Sequence, residues 1–93
     1  MIERDAERLL VKAPLLMANA RGLLDAGRAA LRAGEQIFDF SQAGEADSSA
    51  LVVMFGWLRS ASAAQATIRF AHIPPGVLSL AELYGVTELL PLA

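Results

Sequence analysis

The sequence predicts an α/β domain with a mostly parallel sheet whose helices lie mainly on one face. Short apolar segments typical of strands alternate with longer segments in which apolar residues recur at helical spacing. Such alternation is typical of parallel sheets joined by right-handed crossovers. Hydrophobic residues make up 55% of the 93 residues, which is enough for one core, so residues 1–93 are predicted to form a single domain.

The first predicted strand is the apolar run Glu7–Ala13, which ends at Pro14. The more polar segment before it, Ile2–Ala6, is expected to be frayed. A helix is predicted to begin after Asn19, the expected N-cap, because apolar residues then recur at helical spacing. Gly34 is the expected glycine just beyond its C-terminus.

The remaining predicted elements continue the alternation. In chain order they are a strand at Gln36–Ser41, a turn at Gln42–Ala46, a helix at Ser48–Ala64, a strand at Thr67–Ala71, a helix at Val77–Tyr84 that follows Pro74 and Pro75, and a tail that packs back on the domain. Gly85 is expected to end the last helix.

Composition and charge exclude several classes of function. The net charge is −2 and the basic residues form no stripe, so no nucleic-acid partner is expected. The longest apolar run spans nine residues, Ala50–Leu58, well short of the roughly 20 that a membrane span needs. The N-terminal sequence MIERDAER has no apolar core of a signal peptide. A cytoplasmic protein without direct membrane insertion is therefore expected.

The predicted central helix is apolar on more of its circumference than one core contact requires. Leu51, Met54 and Phe55 fall on the face expected to cover the sheet, together with Leu58 and Ala61. Val53, Gly56 and Trp57 fall on the far side, with Val52 at its flank. Gly56 is costly inside a helix, which indicates close packing at that point. The far side is expected to contact a partner, or else to be covered by the N-terminal segment or the tail of the same chain.

The first turn of this helix also allows two interpretations. Asp47 or Ser48 can act as N-cap by accepting a backbone N–H, which requires no function. Alternatively, a phosphate on Ser48 would lie at a helix N-terminus, where free N–H groups and the helix dipole favour an anion.

Little in the chain predicts catalysis. His72 is the single histidine, and a lone histidine beside Ile73-Pro74-Pro75 is ordinarily structural or exposed. Asp39 and Asp47 could approach each other at the strand end, but carboxylates there usually belong to turns or caps. Since no acid–base set converges and no metal-ligand spacing or phosphate loop is present, no enzyme, metal or cofactor is expected.

Three segments resemble the STAS domain, a family named for sulphate transporters and anti-sigma-factor antagonists. They are FDFS, ADSSALVVMFGWL and LAELYGV. The length, the ANARGLLDAG segment and the ending LSLAELYGVTELLPL are most similar to the stand-alone bacterial MlaB type. The resemblance implies a mixed, mostly parallel sheet of about four to five strands, with about three to four helices mainly on one face.

The MlaB resemblance also implies a function, that of an accessory subunit of an ABC transporter that moves phospholipids between bacterial membranes. Such a subunit binds the transporter's ATPase (MlaF-like) and is peripherally associated with the inner membrane through the complex. Ser48 corresponds to a position on that contact surface. The residues expected to bind the partner are Asp47, Ser48, Ser49, Val52, Val53, Gly56, Trp57, Leu83 and Tyr84. An isolated domain could instead form a homodimer through the apolar helix.

The anti-sigma-antagonist branch implies an alternative, a regulator that binds an anti-sigma factor and is switched by a kinase. The residue phosphorylated in that branch corresponds to Ser48. Many members carry glycine two positions later, where this chain has Ala50. The added methyl group is expected to obstruct a kinase, so the sequence favours protein binding over phosphorylation.

Overall fold

The computed structural model describes all 93 residues, and they form four strands and three α-helices. In chain order the elements are β1 (Ile2–Asp5), β2 (Arg8–Val11), α1 (Met17–Ala30), β3 (Gly34–Asp39), α2 (Ser49–Ala64), β4 (Ala66–Ala71), α3 (Pro75–Leu83) and a short 3-10 turn at Thr87–Leu89. No helix is long and apolar enough to cross a membrane.

The sheet has the order β1-β2-β3-β4 and is mixed, as the resemblance implied. β1 pairs with β2 antiparallel, whereas β2, β3 and β4 run parallel to one another. The two parallel crossovers therefore pass through α1 and α2, and their common handedness places both helices on the same face. The buried side chains on that face of the sheet belong to Leu9, Val11, Gln36, Phe38, Phe40, Ile68 and Phe70.

The opposite face of the sheet is open and carries ion pairs. Lys12 bonds to Glu3 at 2.8 Å, and Arg69 bonds to Glu35 at 3.0 Å. Since both pairs are exposed, each contributes little to stability. This face is a solvated surface.

The N-terminal segment corrects the prediction of a frayed start. Ile2 lies opposite Val11 and Asp5 opposite Arg8, so the segment forms an edge strand that hydrogen-bonds to β2. Ala6, with a φ of +56°, lies in the tight turn between the strands. The charged residues of β1 made it look unstructured, but an edge strand exposes much of its surface and tolerates charge.

Both predicted ends of α1 were wrong. The helix begins at Met17 rather than after Asn19, whose side-chain amide instead donates to the Pro14 carbonyl at 3.0 Å. At the other end, α1 stops at Ala30, and Gly34 is the first residue of β3. The start was missed because the acceptor for the Met17 N–H lies in a distant part of the chain, on Asp47.

The C-terminal helix and tail are present as predicted, but α3 runs from Pro75 to Leu83 rather than from Val77 to Tyr84. Pro75 is the first residue of α3, and Gly85 follows the helix with a left-handed φ of +70°. The tail then packs back, because the Phe70 N–H donates to the Pro91 carbonyl at 2.8 Å and the Ala93 N–H donates to the Phe70 carbonyl at 2.9 Å. Leu90 is buried in the core. The tail thus covers part of the outer edge of β4.

Candidate functional site

Asp47 fixes the starts of two helices at once. Its Oδ1 accepts the Ser49 N–H at 2.8 Å at the start of α2. Its Oδ2 accepts the Met17 N–H at 3.0 Å at the start of α1. The N–H groups of a first helical turn have no partner within the helix, so one carboxylate satisfies a donor in each. Of the two capping residues that the sequence allowed, Asp47 supplies the side-chain cap.

The same hydrogen bonds set the charge state of Asp47. The backbone N–H of Met17 and then that of Ser49 hold the pKa of the Asp47 carboxyl below its usual range, and burial opposes them only in part. The carboxylate is therefore ionised at neutral pH, where it favours both helix N-termini through their dipoles.

Ser48 is exposed and its side chain makes no hydrogen bond. The backbone around it is already paired: the Ala50 N–H donates to the Asp47 carbonyl at 3.1 Å and the Leu51 N–H to the Ser48 carbonyl at 3.3 Å. A phosphate on Ser48 would thus lie beside the Asp47 carboxylate, with these N–H groups occupied. Of the N–H groups that the sequence suggested for an anion, those of Ser49, Ala50 and Leu51 therefore already have acceptors.

Ala50 corrects a second expectation. Its side chain is fully buried in the core rather than lying on the surface next to Ser48. The methyl group therefore does not stand in the way of a kinase. Ser49, which was expected to contact a partner, is also buried.

Trp57 was expected to face a partner, and this placement was wrong. The side chain is 0% exposed. Its ring stacks on Phe38 of the sheet with centroids 4.1 Å apart. Its Nε1–H lies 3.2 Å from the Leu23 carbonyl and 3.3 Å from that of Leu24, both in α1. Trp57 joins the sheet to α1.

Val53 and Gly56, which were also expected to contact a partner, are buried. The close packing predicted at Gly56 is real, but it comes from the same chain: a Cβ at this position would lie 2.5 Å from a methyl group of Leu24. The helical wheel assumed one buried face, whereas α2 packs against both the sheet and α1. Conversely, Phe55 and Leu58, which were assigned to the core, are only partly buried.

The remaining predicted contact residues do lie on the surface. Val52 is 65% exposed in the first turn of α2, one helical turn beyond Ser48. Leu83 is 76% exposed at the end of α3, and Tyr84 next to it is also exposed. Large apolar side chains this exposed are unusual enough to mark an interaction surface when they cluster. Their role in binding stays a prediction.

Met17 is a surface residue that the sequence analysis missed. It is 75% exposed, and its backbone is tied to the start of α2 through Asp47. The sequence carried a signal for it only if α1 was known to begin there, because a methionine in a loop before Asn19 is unremarkable.

Asp39, one of the residues considered for catalysis, takes part in structural interactions. Burial raises the pKa of Asp39, but hydrogen bonds from Ser41 and the charges of His72 and Arg8 outweigh it, so this pKa lies below its usual range. Asp39 bonds to Arg8 at 2.9 Å and to the Ser41 N–H at 2.9 Å. His72 is exposed. No pocket opens on the surface, and no three potential ligands are grouped to hold a metal.

Comparison with known proteins agrees with this fold. A family profile described as the MlaB STAS domain matches residues 2–91. The structure is similar to that of a proposed anti-sigma factor antagonist from Thermotoga maritima, with a TM-score of 0.68 and 14% identity over 99% of this chain and 83% of that one. At this identity the likeness shows the fold alone. A search of curated proteins found no match.

The fold and the family profile together define a small domain of the STAS type. Because the family profile covers nearly the whole sequence, this chain belongs to the MlaB STAS domain family. STAS domains are generally binding or regulatory modules rather than enzymes. Membership of this family suggests that the partners of this chain are proteins.

Proposed function

We propose that this protein is a non-catalytic accessory subunit that binds the ATPase of a phospholipid-transporting ABC system. In this role it is cytoplasmic and reaches the inner membrane only through the transporter complex. Family membership supports the proposal. The observation that carries it is the start of α2, where Ser48 and Val52 are exposed side by side on a backbone that Asp47 holds in place.

The surface suits protein docking for two reasons. Val52 contributes apolar area that gains from leaving water, and Ser48 offers a hydroxyl that can donate or accept without breaking an existing bond. The Asp47 hydrogen bonds to both helix starts reduce the ordering cost of binding, because the contact residues lie on rigid elements. Leu83 and Tyr84 of α3 extend the proposed surface.

Co-purification tests the proposal. The tagged chain is co-expressed with the transporter ATPase encoded by the same genome. Ser48→Arg and Val52→Asp should each abolish recovery of the ATPase, because each places a charge in the proposed contact. Thr67→Arg is the matched control for Ser48→Arg, since Thr67 is an exposed hydroxyl residue on β4. Equal recovery with all three variants would exclude this surface.

The exposed hydroxyl of Ser48 also supports a second candidate, a partner-switching regulator. Ser48 is accessible, and Ala50 does not obstruct it. Under this alternative, a cognate kinase should add one phosphate at Ser48, and the phosphate should release an anti-sigma factor. Mass spectrometry after incubation with the kinase separates the two functions, because the accessory-subunit role requires no modification.

A further inference from the structure

We propose that the docking surface crosses from α2 onto α1, and that it takes a helix of the ATPase with apolar side chains at one end and carboxylates at the other. The inference rests on the proposed function. It adds α1 to the proposed contact surface on α2, and it assigns that surface a positive charge. It concerns what we call the α1–α2 seam, the outward side of the junction between the two helices, formed by Met17, Arg21, Arg28, Val52 and Arg59.

Two contacts establish that these residues share one side. Leu24 of α1 packs against Gly56 of α2, and Arg28 donates to the Ser60 hydroxyl at 2.9 Å. In both pairs the partners are 32 residues apart, so the helices run side by side in a constant register. Their starts are also level, because the Met17 and Ser49 N–H groups donate to the same carboxylate.

Helical spacing then places the exposed residues along these two lines of contact. Met17, Arg21, Leu24 and Arg28 follow the i, i+4, i+7, i+11 pattern of one helix face. On α2, Val52 lies one turn before Gly56, and Arg59 lies next to Ser60. The two rows therefore flank the same junction, where the lack of a side chain at Gly56 lets Leu24 approach α2 closely.

The seam is apolar at the end where both helices begin. Met17 is 75% and Val52 is 65% exposed, and Ser48 lies one turn before Val52. This end adjoins the surface in the proposed function, so a partner seated on Ser48 and Val52 meets Met17 as well. Exposed apolar side chains grouped in this way favour a partner over solvent.

The other end of the seam is basic. The two helices carry three arginines and only one carboxylate, Asp25, in a chain whose net charge is −2. Asp25 pairs with Arg21 at 3.3 Å, whereas Arg28 and Arg59 pair with no carboxylate. Positive charge that the domain leaves unbalanced is complementary to carboxylates on the partner.

The length of the seam fits a helical partner. Met17 to Arg28 spans about 16 Å along the helix axis, or roughly three turns. An amphipathic helix of that length can place apolar side chains over Met17 and Val52, and Asp or Glu near Arg28 and Arg59. The arginines then act mainly on the association rate, since exposed charges at an interface steer the encounter.

Association kinetics with the purified ATPase test the inference. Arg28→Glu/Arg59→Glu should lower the association rate on the order of tenfold and weaken its dependence on salt. Lys12→Glu/Arg69→Glu is the matched control, because it makes the same change in net charge on the open face of the sheet. Met17→Asp should accelerate dissociation. Circular dichroism verifies folding, and Arg59→Glu alone repeats the test without disturbing the Arg28–Ser60 hydrogen bond.

Each outcome decides one of the two proposals. If Val52→Asp abolishes binding while the arginine reversal behaves like its control, the proposed function holds and this extension is wrong. If the wild-type chain does not bind the ATPase, the proposed function itself fails. Sedimentation with anionic phospholipid vesicles tests whether the arginines bind lipid instead. If Arg28→Glu/Arg59→Glu removes vesicle binding but leaves the association with the ATPase unchanged, the arginines belong to a lipid-binding surface and the inference is wrong.

Discussion

Trp57 connects three parts of the domain through one side chain. Its ring stacks on Phe38, its Nε1–H donates to carbonyls of α1, and its backbone belongs to α2. A buried tryptophan contributes a large apolar area and needs a partner for its N–H, and both conditions are met here. Any loss of partner binding in a Trp57 variant would therefore arise from unfolding rather than from a lost contact.

Replacing this side chain should destabilise the whole domain. Trp57→Ala is expected to lower the free energy of unfolding by about 3–5 kcal/mol, because it leaves a cavity between the sheet and α1. Small domains have only about 5–15 kcal/mol in total. Urea denaturation followed by circular dichroism measures the change, and Val52→Ala should stay within about 0.5 kcal/mol of wild type. An unchanged midpoint for Trp57→Ala would contradict the packing.

Asp47 makes the free energy of unfolding depend on pH in the acid range. The Met17 and Ser49 N–H groups lower the pKa of Asp47 in the folded state. The stabilisation that the ionised carboxylate provides is therefore fully present above the unfolded pKa of about 4. This stabilisation is lost as the pH falls through the pKa of Asp47 in the folded state. Asp47→Asn should therefore be less stable than wild type at neutral pH, and the difference should vanish at strongly acidic pH. Urea midpoints of both proteins across this range measure it, and a constant difference would exclude the carboxylate's role.

At the scale of elements, α1 and α2 approach closely because a glycine on each helix accepts a side chain of the other. Gly27 faces the Trp57 indole, and Gly56 faces Leu24. Helical periodicity revealed that both helices exist, but it could not reveal this mutual packing. The partner of an apolar helix face depends on the arrangement of the helices in space, which one sequence does not specify. Trp57 was therefore assigned to a partner although its indole lies against α1.

Gly27 should tolerate no side chain. A Cβ there would overlap the Trp57 indole, which cannot move because it is stacked on Phe38. Gly27→Ala is expected to cost about 1–3 kcal/mol of overpacking, in spite of the roughly 1 kcal/mol by which alanine favours a helix over glycine. Gly22→Ala in the same helix is the control. Its Cβ would meet only the flexible Met1 side chain, at 3.1 Å, so it should be neutral or stabilising in thermal denaturation. Equal effects of Gly27→Ala and Gly22→Ala on the melting temperature would contradict the packing of Trp57 against Gly27.

For the molecule as a whole, the alternation of elements was sufficient to predict the architecture. The predicted order of strands and helices is confirmed, with β1 added. This edge strand was missed because its stability comes from pairing with β2 rather than from an apolar pattern of its own. The tail was correctly predicted to pack back, and it does so through Leu90 and through backbone hydrogen bonds to Phe70, whereas Leu89 and Leu92 stay exposed.

The candidate site was predictable in part. Ser48 and Val52 are exposed, as expected, because they lie one helical turn apart on the side of α2 that faces solvent, whereas Ser49 and Ala50 between them are buried. Met17 and the arginines of the seam were not found, since they become neighbours of Val52 only through the parallel register of α1 and α2. Which residues share the candidate surface therefore depends on which two helices pack together.

The central claim is that the exposed start of α2 binds the transporter ATPase, and calorimetric titration of the purified ATPase tests it most directly. Val52→Asp should weaken the affinity about tenfold or more, because it places a charge in the centre of the contact. Thr67→Asp is the matched control, since Thr67 is an exposed β-branched residue on the open face of β4, on the side of the sheet away from α2. It should bind like wild type. Equal affinities for wild type, Val52→Asp and Thr67→Asp would contradict the account.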